Sequence, residues 1–84
     1  MFYVYVLKSP EHGQIYVGYT TDLKARFADH QKMPRHRGWK LVYYEAYRSQ
    51  EDARKRERQL KNYGSALSLL KKRIGKSLDL QSLE

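Results

Sequence analysis

The sequence contains no cysteine, which removes disulfide bridges and thiolate metal sites from consideration. Two prolines and five glycines are too few for a collagen-like or low-complexity chain. No apolar run approaches the roughly 20 residues that cross a bilayer as a helix. The apolar opening Met1-Phe2-Tyr3-Val4-Tyr5-Val6-Leu7-Lys8 has neither a basic leader nor a small-residue cleavage site. The expected location is therefore cytoplasmic, with no membrane partner. Acidic residues are also scarce. Nine Asp and Glu oppose seventeen Lys and Arg, for a net charge of +8. A small domain with that excess generates a positive field that attracts polyanions, nucleic acid foremost. Anionic membrane is the weaker rival, because the basic residues do not back a broad apolar helix face.

What is present suits one small globular domain. The chain of 84 residues is 40% hydrophobic and 31% charged, a length that leaves room for one domain and not two. The pattern assigns residues 1–76 to the domain and 77–84 to a frayed tail, in which Leu83-Glu84 is consistent with a cloning-tag remnant. Residues 2–7 alternate as a strand, with Phe2, Val4 and Val6 on one face and Tyr3, Tyr5 and Leu7 on the other. The segment 8–14 is turn-like, and Ile15-Tyr16-Val17 returns as a second strand that Gly18 ends, at a place of close backbone approach or unusual backbone angle. Thr20, Thr21 and Asp22 are N-cap candidates for a helix over 22–31 with Leu23 and Phe27 on its apolar stripe. After a basic loop broken by Pro34, residues 39–47 form a third strand. Ser49-Gln50-Glu51-Asp52 opens a second helix to about Asn62 in capping-box fashion. Gly64 is placed to cap it. A third helix runs from Ser65 to Gly75 with Leu67, Leu70 and Ile74 inward. The expected fold is α/β (α+β) in the order ββαβαα: a small three-stranded sheet flanked by about three helices.

Three polar residues sit against this pattern. Glu57 lies four residues after Ala53 and three before Leu60, so it shares their helix face. A carboxylate there needs a cation, a metal or hydrogen bonds; an ion pair with Arg54, Lys61 or Arg26 is the ordinary explanation. Arg26 and His30, four apart, stack on one helix face beside the Leu23/Phe27 stripe. The planar guanidinium suits a phosphate, and the imidazole can pass a proton or orient a neighbour; an ordinary solvent-edge pair is the alternative. Eight tyrosines stand against two Phe and one Trp. Phenols donate hydrogen bonds, stack on bases and accept protons when nearby positive charge lowers their pKa, although several will simply span core and solvent.

Taken in order, these residues resemble the GIY-YIG nuclease family. Tyr3-Val4-Tyr5 and Tyr16-Val17-Gly18 are similar to its paired signature, with Tyr3 in the glycine position as small members tolerate. The run Tyr16 to Leu23 with Arg26 and His30 resembles the second motif and catalytic helix. Trp39 to Glu45, Ala53, Arg56-Glu57 and Leu60-Lys61 resemble the small stand-alone bacterial members, relatives of the N-terminal nuclease domain of the excinuclease C subunit. The resemblance covers residues 2–74. It implies a metal-dependent endonuclease acting on nucleic acid, DNA more than RNA and by structure rather than sequence, in repair or recombination. It implies that Glu57 holds a single Mg²⁺ or Mn²⁺, and that Arg26 clamps phosphate oxygens. Tyr5 or Tyr16 takes the proton of the attacking water once Arg26 and the metal depress its pKa, and His30 assists. Lys24, Lys32, Arg35, Arg37 and Lys61 are the expected nucleic-acid contacts, and a protein partner would supply targeting. Many members carry an asparagine about a dozen residues beyond the metal glutamate; here Ser65-Ala66-Leu67-Ser68-Leu69-Leu70 has none and Asn62 comes too early. A catalytically degenerate nucleic-acid-binding module is therefore the alternative, and a protein–protein adaptor docking through its aromatic surface is a third reading.

Overall fold

A computed structural model describes residues 1–62 and 64–80; Leu83-Glu84 and the end of the expected tail lie outside the described residues. The N-terminal alternation builds the centre of the molecule. Strand β1 (Phe2–Lys8) lies between β2 (Ile15–Thr20) and β3 (Lys40–Tyr47), antiparallel to both. Helices α1 (Leu23–Lys32), α2 (Gln50–Asn62) and α3 (Gly64–Arg73) follow in the expected order, and a short α4 (Gly75–Leu78) is added. Val4 and Val6 pack with Val17 against Ala53 and Leu60 of α2 and Leu70 of α3. Tyr5 and Leu7, on the other face of β1, are just as deeply buried. A central strand covered on both sides is thus buried on both faces, whatever the polarity of its tyrosines.

Several boundaries differ from the expectation, each for a local reason. Strand β2 does not stop at Gly18 but continues to Thr20. Gly18 pairs with Tyr5 across the ladder, and the Tyr5 ring occupies the space a β-carbon would need; the expected close approach is that ring. Trp39 precedes β3 and closes a turn, its N–H donating to the His36 carbonyl at 3.1 Å. Asp22 is the N-cap of α1, accepting from the Ala25 N–H at 3.0 Å. Ser49 caps α2 through the Asp52 N–H at 3.2 Å. Gly64 opens α3 instead of closing α2. Gly75 begins α4 where the sequence pattern ends a helix, because the ladder carries on through Ile74, whose carbonyl accepts from Leu78 N–H at 3.0 Å. Lys8 Nζ then donates to the Leu78 carbonyl at 2.7 Å, tying α4 to the end of β1.

The orientation of α2 is set by more than its apolar residues. Glu45 pairs with Val4 in the ladder, on the face that α2 covers. Its carboxylate accepts from the Tyr43 hydroxyl at 2.6 Å, from the Tyr47 hydroxyl, and from Arg56 Nε and Nη2 at 3.0 Å each. Burial alone would raise the Glu45 pKa, but the bonds from Arg56, Tyr43 and Tyr47 outweigh it and hold the carboxyl below its ordinary value. Burial, and then Glu45 itself, push Tyr43 and Tyr47 up to about 12. Arg56 thus bolts α2 to β3 one residue before Glu57. Arg56→Met is expected to cost about 2–3 kcal/mol, because it strips a charge-assisted pair from a largely enclosed carboxylate. A group with a depressed folded pKa adds stability that is present above its unfolded pKa and lost as pH falls through the folded one. The melting temperatures of wild type and variant should therefore lie well apart at pH 7 and converge on acidification below about pH 4.5, the ordinary value of that carboxyl. Thermal melts at both ends of that range check it; a constant gap would show that the pair is not the source.

Candidate active site

Strand β2 is an edge strand, so side chains from both of its faces can border one depression at its rim. Tyr16 stands on the α1 side, opposite Leu7, and Tyr19 on the α2 side, opposite Val4. The turn that leaves β2 is closed by Thr20, whose hydroxyl accepts from Asp22 N–H at 3.1 Å. Helix α1 therefore starts at the same rim, and Arg26, one turn in, faces it. From the opposite side α2 presents Arg54 and Glu57. Tyr16, Tyr19, Thr20, Thr21, Arg26, Arg54 and Glu57 line an open polar pocket of about 360 Å³. Thr21 also borders a more apolar groove of about 490 Å³ that holds Lys24 with Tyr3, Leu23, Phe27 and Tyr44. The stripe of α1 is thus only half-buried, and the residue that anchors this helix to the sheet is His30, 2% exposed.

Glu57 meets the cations that its position on the packing face demanded. Lys61 Nζ lies 3.1 Å and Arg54 Nη1 3.7 Å from its oxygens, and 13% of its side chain is exposed. Arg54 also lies over the Tyr19 ring at 3.9 Å, and Gln50 donates to the Tyr19 hydroxyl at 3.1 Å. Lys61 reaches toward Tyr16, 5.7 Å from its ring centre. Among the described residues no group of three His, Cys, Asp or Glu forms a metal cage. One carboxylate in a polar pocket beside an arginine nevertheless fits a hard divalent ion of the Mg²⁺ kind, which keeps most of its waters and takes phosphate oxygens.

Tyr5 and His30 sit behind this pocket, not in it. Tyr5 is 1% exposed, and its hydroxyl lies 2.6 Å from His30 Nε2. Burial, and then the neighbouring Tyr16, push the Tyr5 pKa up; Arg26 lowers it, but by less. The depression expected from Arg26 therefore exists in sign and loses in net effect. His30 is held below its ordinary pKa by burial first, then by His36 and Arg26, against the opposing pull of Asp29. It is neutral near pH 7. Sequence reasoning missed its second partner. His36 Nδ1 lies 2.9 Å from His30 Nδ1, and no periodic signal marks a histidine inside a basic loop. Tyr19, Thr20, Thr21 and Arg54 were also unmarked as pocket residues; an edge-strand assignment for β2 would have exposed Tyr19.

Of the ten residues expected at the site, Tyr16, Arg26 and Glu57 converge on the pocket and Lys61 joins them through Glu57. Tyr5 and His30 back it. Lys24 borders the neighbouring groove, Lys32 ends α1, and Arg35 and Arg37 line depressions around the 33–39 loop.

Comparison with known proteins places the chain in a family. A protein from Pediococcus acidilactici described as "UPF0213 protein in ldhD 5'region" is 38% identical over 60 residues, 62% of this chain and 60% of that protein. The chain thus spans less than two thirds of that curated relative. No solved structure matches. The model of the GIY-YIG catalytic domain matches residues 1–71, a span that contains every element of the pocket. By that match the chain belongs to the GIY-YIG family of nuclease domains.

Proposed function

We propose that the protein is a metal-dependent endonuclease that hydrolyses phosphodiester bonds, in DNA more than RNA, choosing its substrate by structure rather than sequence. The observation that carries this reading is the meeting of Tyr16, Arg26 and Glu57, from three separate elements, in one open polar pocket. Arg26 offers a permanently charged fork to the non-bridging oxygens of the scissile phosphate. Glu57 would hold the Mg²⁺ or Mn²⁺, which when bound supplies charge neutralisation at phosphorus and at the leaving oxygen. Tyr16 faces the pocket and is the phenol placed to meet the attacking water. Tyr5, enclosed against Gly18 and His30, orients that machinery from behind. Arg54 and Lys61 hold the Glu57 carboxylate and lend positive charge to a bound backbone. Lys24, Lys32, Arg35 and Arg37 extend that charge along the surface, where phosphate contacts give affinity without reading sequence. A cytoplasmic location, a role in repair or recombination and a separate targeting partner belong to the same proposal.

A second reading has its own observation. Glu57 is already satisfied by two cations, and α3 carries no asparagine over 65–70; a binding module that does not cut is compatible with both. Incubation with duplex, nicked, branched and single-stranded DNA and matched RNA, with Mg²⁺ or Mn²⁺, separates the two. The nuclease gives metal-dependent products, and Arg26→Ala lowers the rate about 10²–10³-fold, the scale of losing one charge-stabilising donor. Undiminished cutting by Arg26→Ala would refute the assignment. Absence of product with binding that weakens steeply with salt would select the binding module.

A further inference from the structure

The nuclease reading leaves a difficulty: a phenol at its ordinary pKa of about 10 is a poor base at neutral pH, and the environment of Tyr5 raises its pKa further. The geometry behind the pocket answers it. Tyr5 Oη, His30 Nε2, His30 Nδ1 and His36 Nδ1 form a continuous line, with contacts of 2.6 Å and 2.9 Å. The Tyr16 ring lies beside Tyr5, His30 and His36 alike, at 6.1, 5.1 and 4.7 Å between ring centres. His36 lies at the outer end and lines an open pocket of about 700 Å³ with Arg35 and Trp39.

The loop carrying His36 is built to hold it. Gln31 of α1 donates to the Trp39 carbonyl at 3.0 Å and accepts from Gly38 N–H at 3.2 Å. Gly38 takes a φ of +85° to make that bond. Turns from Met33 to His36 and from His36 to Trp39 fix the histidine's backbone on both sides. Its ring is held between Tyr16 and Trp39, at 4.7 and 4.8 Å.

We propose that His30 and His36 form a two-imidazole relay that carries the proton of the attacking water from the tyrosine pair to solvent, with His36 as its outer, positioning member. This rests on the nuclease reading. As the water oxygen bonds to phosphorus, its proton passes to the Tyr16 oxygen, and Tyr16, whose side-chain contact with Tyr5 helps to raise the Tyr5 pKa, passes its own to Tyr5. Tyr5 gives its proton to His30 Nε2, and the Nδ1 proton of His30 moves to His36 Nδ1. His36, now imidazolium, releases its Nε2 proton to solvent. The P–O bond to the leaving oxygen breaks, and that oxygen takes a proton from solvent. Both tyrosines end neutral, so neither needs to be an anion; both histidines end in the opposite tautomer and are reset through solvent exchange. Burial and Arg35 hold His36 below its ordinary pKa, as burial, His36 and Arg26 hold His30, so both are neutral and able to accept near pH 7. Among the described residues, the charged and titratable groups facing the pair are Tyr5 from β1, Tyr16 from β2, Arg26 and Asp29 from α1 and Arg35 from the loop.

The test compares wild type with His36→Ala and His36→Gln. His36→Ala should lower kcat about tenfold or more at pH 7, with KM little changed, and added imidazole should restore part of the rate. His36→Gln fills the space and should not respond to imidazole. The acid limb of wild type should lie below pH 6.5, the ordinary histidine value. In His36→Ala it should move upward, because His30 loses a neighbour that depresses it. An active wild type with unchanged kcat in His36→Ala, or a loss without imidazole rescue or a moved limb, overturns the relay and leaves the nuclease reading standing. Nitrogen NMR of the imidazoles supplies a readout that needs no cleavage: His36→Ala should raise the His30 pKa, and an unchanged His30 titration overturns the relay. Failure of wild type to cut falls on the nuclease reading instead.

Discussion

Glu57→Gln should abolish metal-dependent cleavage, by about a thousandfold or more, while leaving the fold intact and nucleic-acid binding equal or tighter. Each part has a separate cause. The amide keeps the shape of the side chain but removes the single charge that would hold a hard cation, and a loss of about 4 kcal/mol at the transition state is about a thousandfold in rate. The fold survives because the partners of Glu57 are exposed. Lys61 and Arg54 are each roughly half exposed, 44% and 50% of their side chains, and pairs of that kind contribute about 0–1 kcal/mol. Binding holds or improves because Arg54 and Lys61, released from the carboxylate, can turn to phosphates, and the pocket loses the one acidic group among its described residues. The steeper salt dependence that results is measurable by titration. Rates on the best substrate, a thermal melt and a salt series of dissociation constants on the same preparation check the three parts together. Cleavage equal to wild type would remove Glu57 from the chemistry. A collapse in melting temperature would instead make it a structural residue.

The linear pattern of residues carried much of this arrangement, but not its depth. Glu57 was recognisable because a helix has a period: residues 53, 57 and 60 share a face in any α-helix, so a carboxylate among packing residues stands out. Asp22 and Ser49 were recognisable because a cap is a local bond that a few consecutive residues determine. Tyr5 and Tyr16 were indistinguishable as roles, since both read as strand tyrosines. What separates them is strand order: β1 is central, so Tyr5 is enclosed, whereas β2 is at the edge, so Tyr16 reaches the pocket. Strand order is decided by non-local pairing that no short window contains. His36 was hidden for the same reason in a stronger form. Its meeting with His30 depends on the path of a loop folded back on α1 by one glutamine and one glycine with positive φ. Gly18 fell between these cases: its need for close approach was readable, but the object approaching it, a ring thirteen residues upstream, depended on register.

Gly18→Ala should be a severely damaging single methyl, since Gly18 alone of the five glycines has no room for a β-carbon. Glycine in a strand interior ordinarily weakens it, so alanine at an unconstrained site would be neutral or helpful. Here the added β-carbon would fall 2.7 Å from Tyr5 Cε1 and closer still to Cζ and the hydroxyl. The Tyr5 ring cannot simply step aside. It is 1% exposed, its hydroxyl is bonded to His30, and its ring is flanked by Tyr16 and His30. Forcing it out costs the strain of overpacking, about 1–3 kcal/mol, and the Tyr5–His30 bond, about 0.5–1.5 kcal/mol. The sum, roughly 2–4 kcal/mol, should lower the melting temperature of a domain this size by roughly 10–25 °C. Cleavage should fall with it even at temperatures where the variant is folded, because the displaced ring disturbs Tyr16 on one side and His30 on the other. The double variant Gly18→Ala/Tyr5→Leu separates the two effects. Removing the ring relieves the clash, so the two stability losses should combine to much less than their sum, while cleavage stays low because the phenol is gone. Additive losses would mean that the methyl does its damage elsewhere in the sheet. A double variant that cuts as well as wild type would mean that Tyr5 packs against the site without serving it.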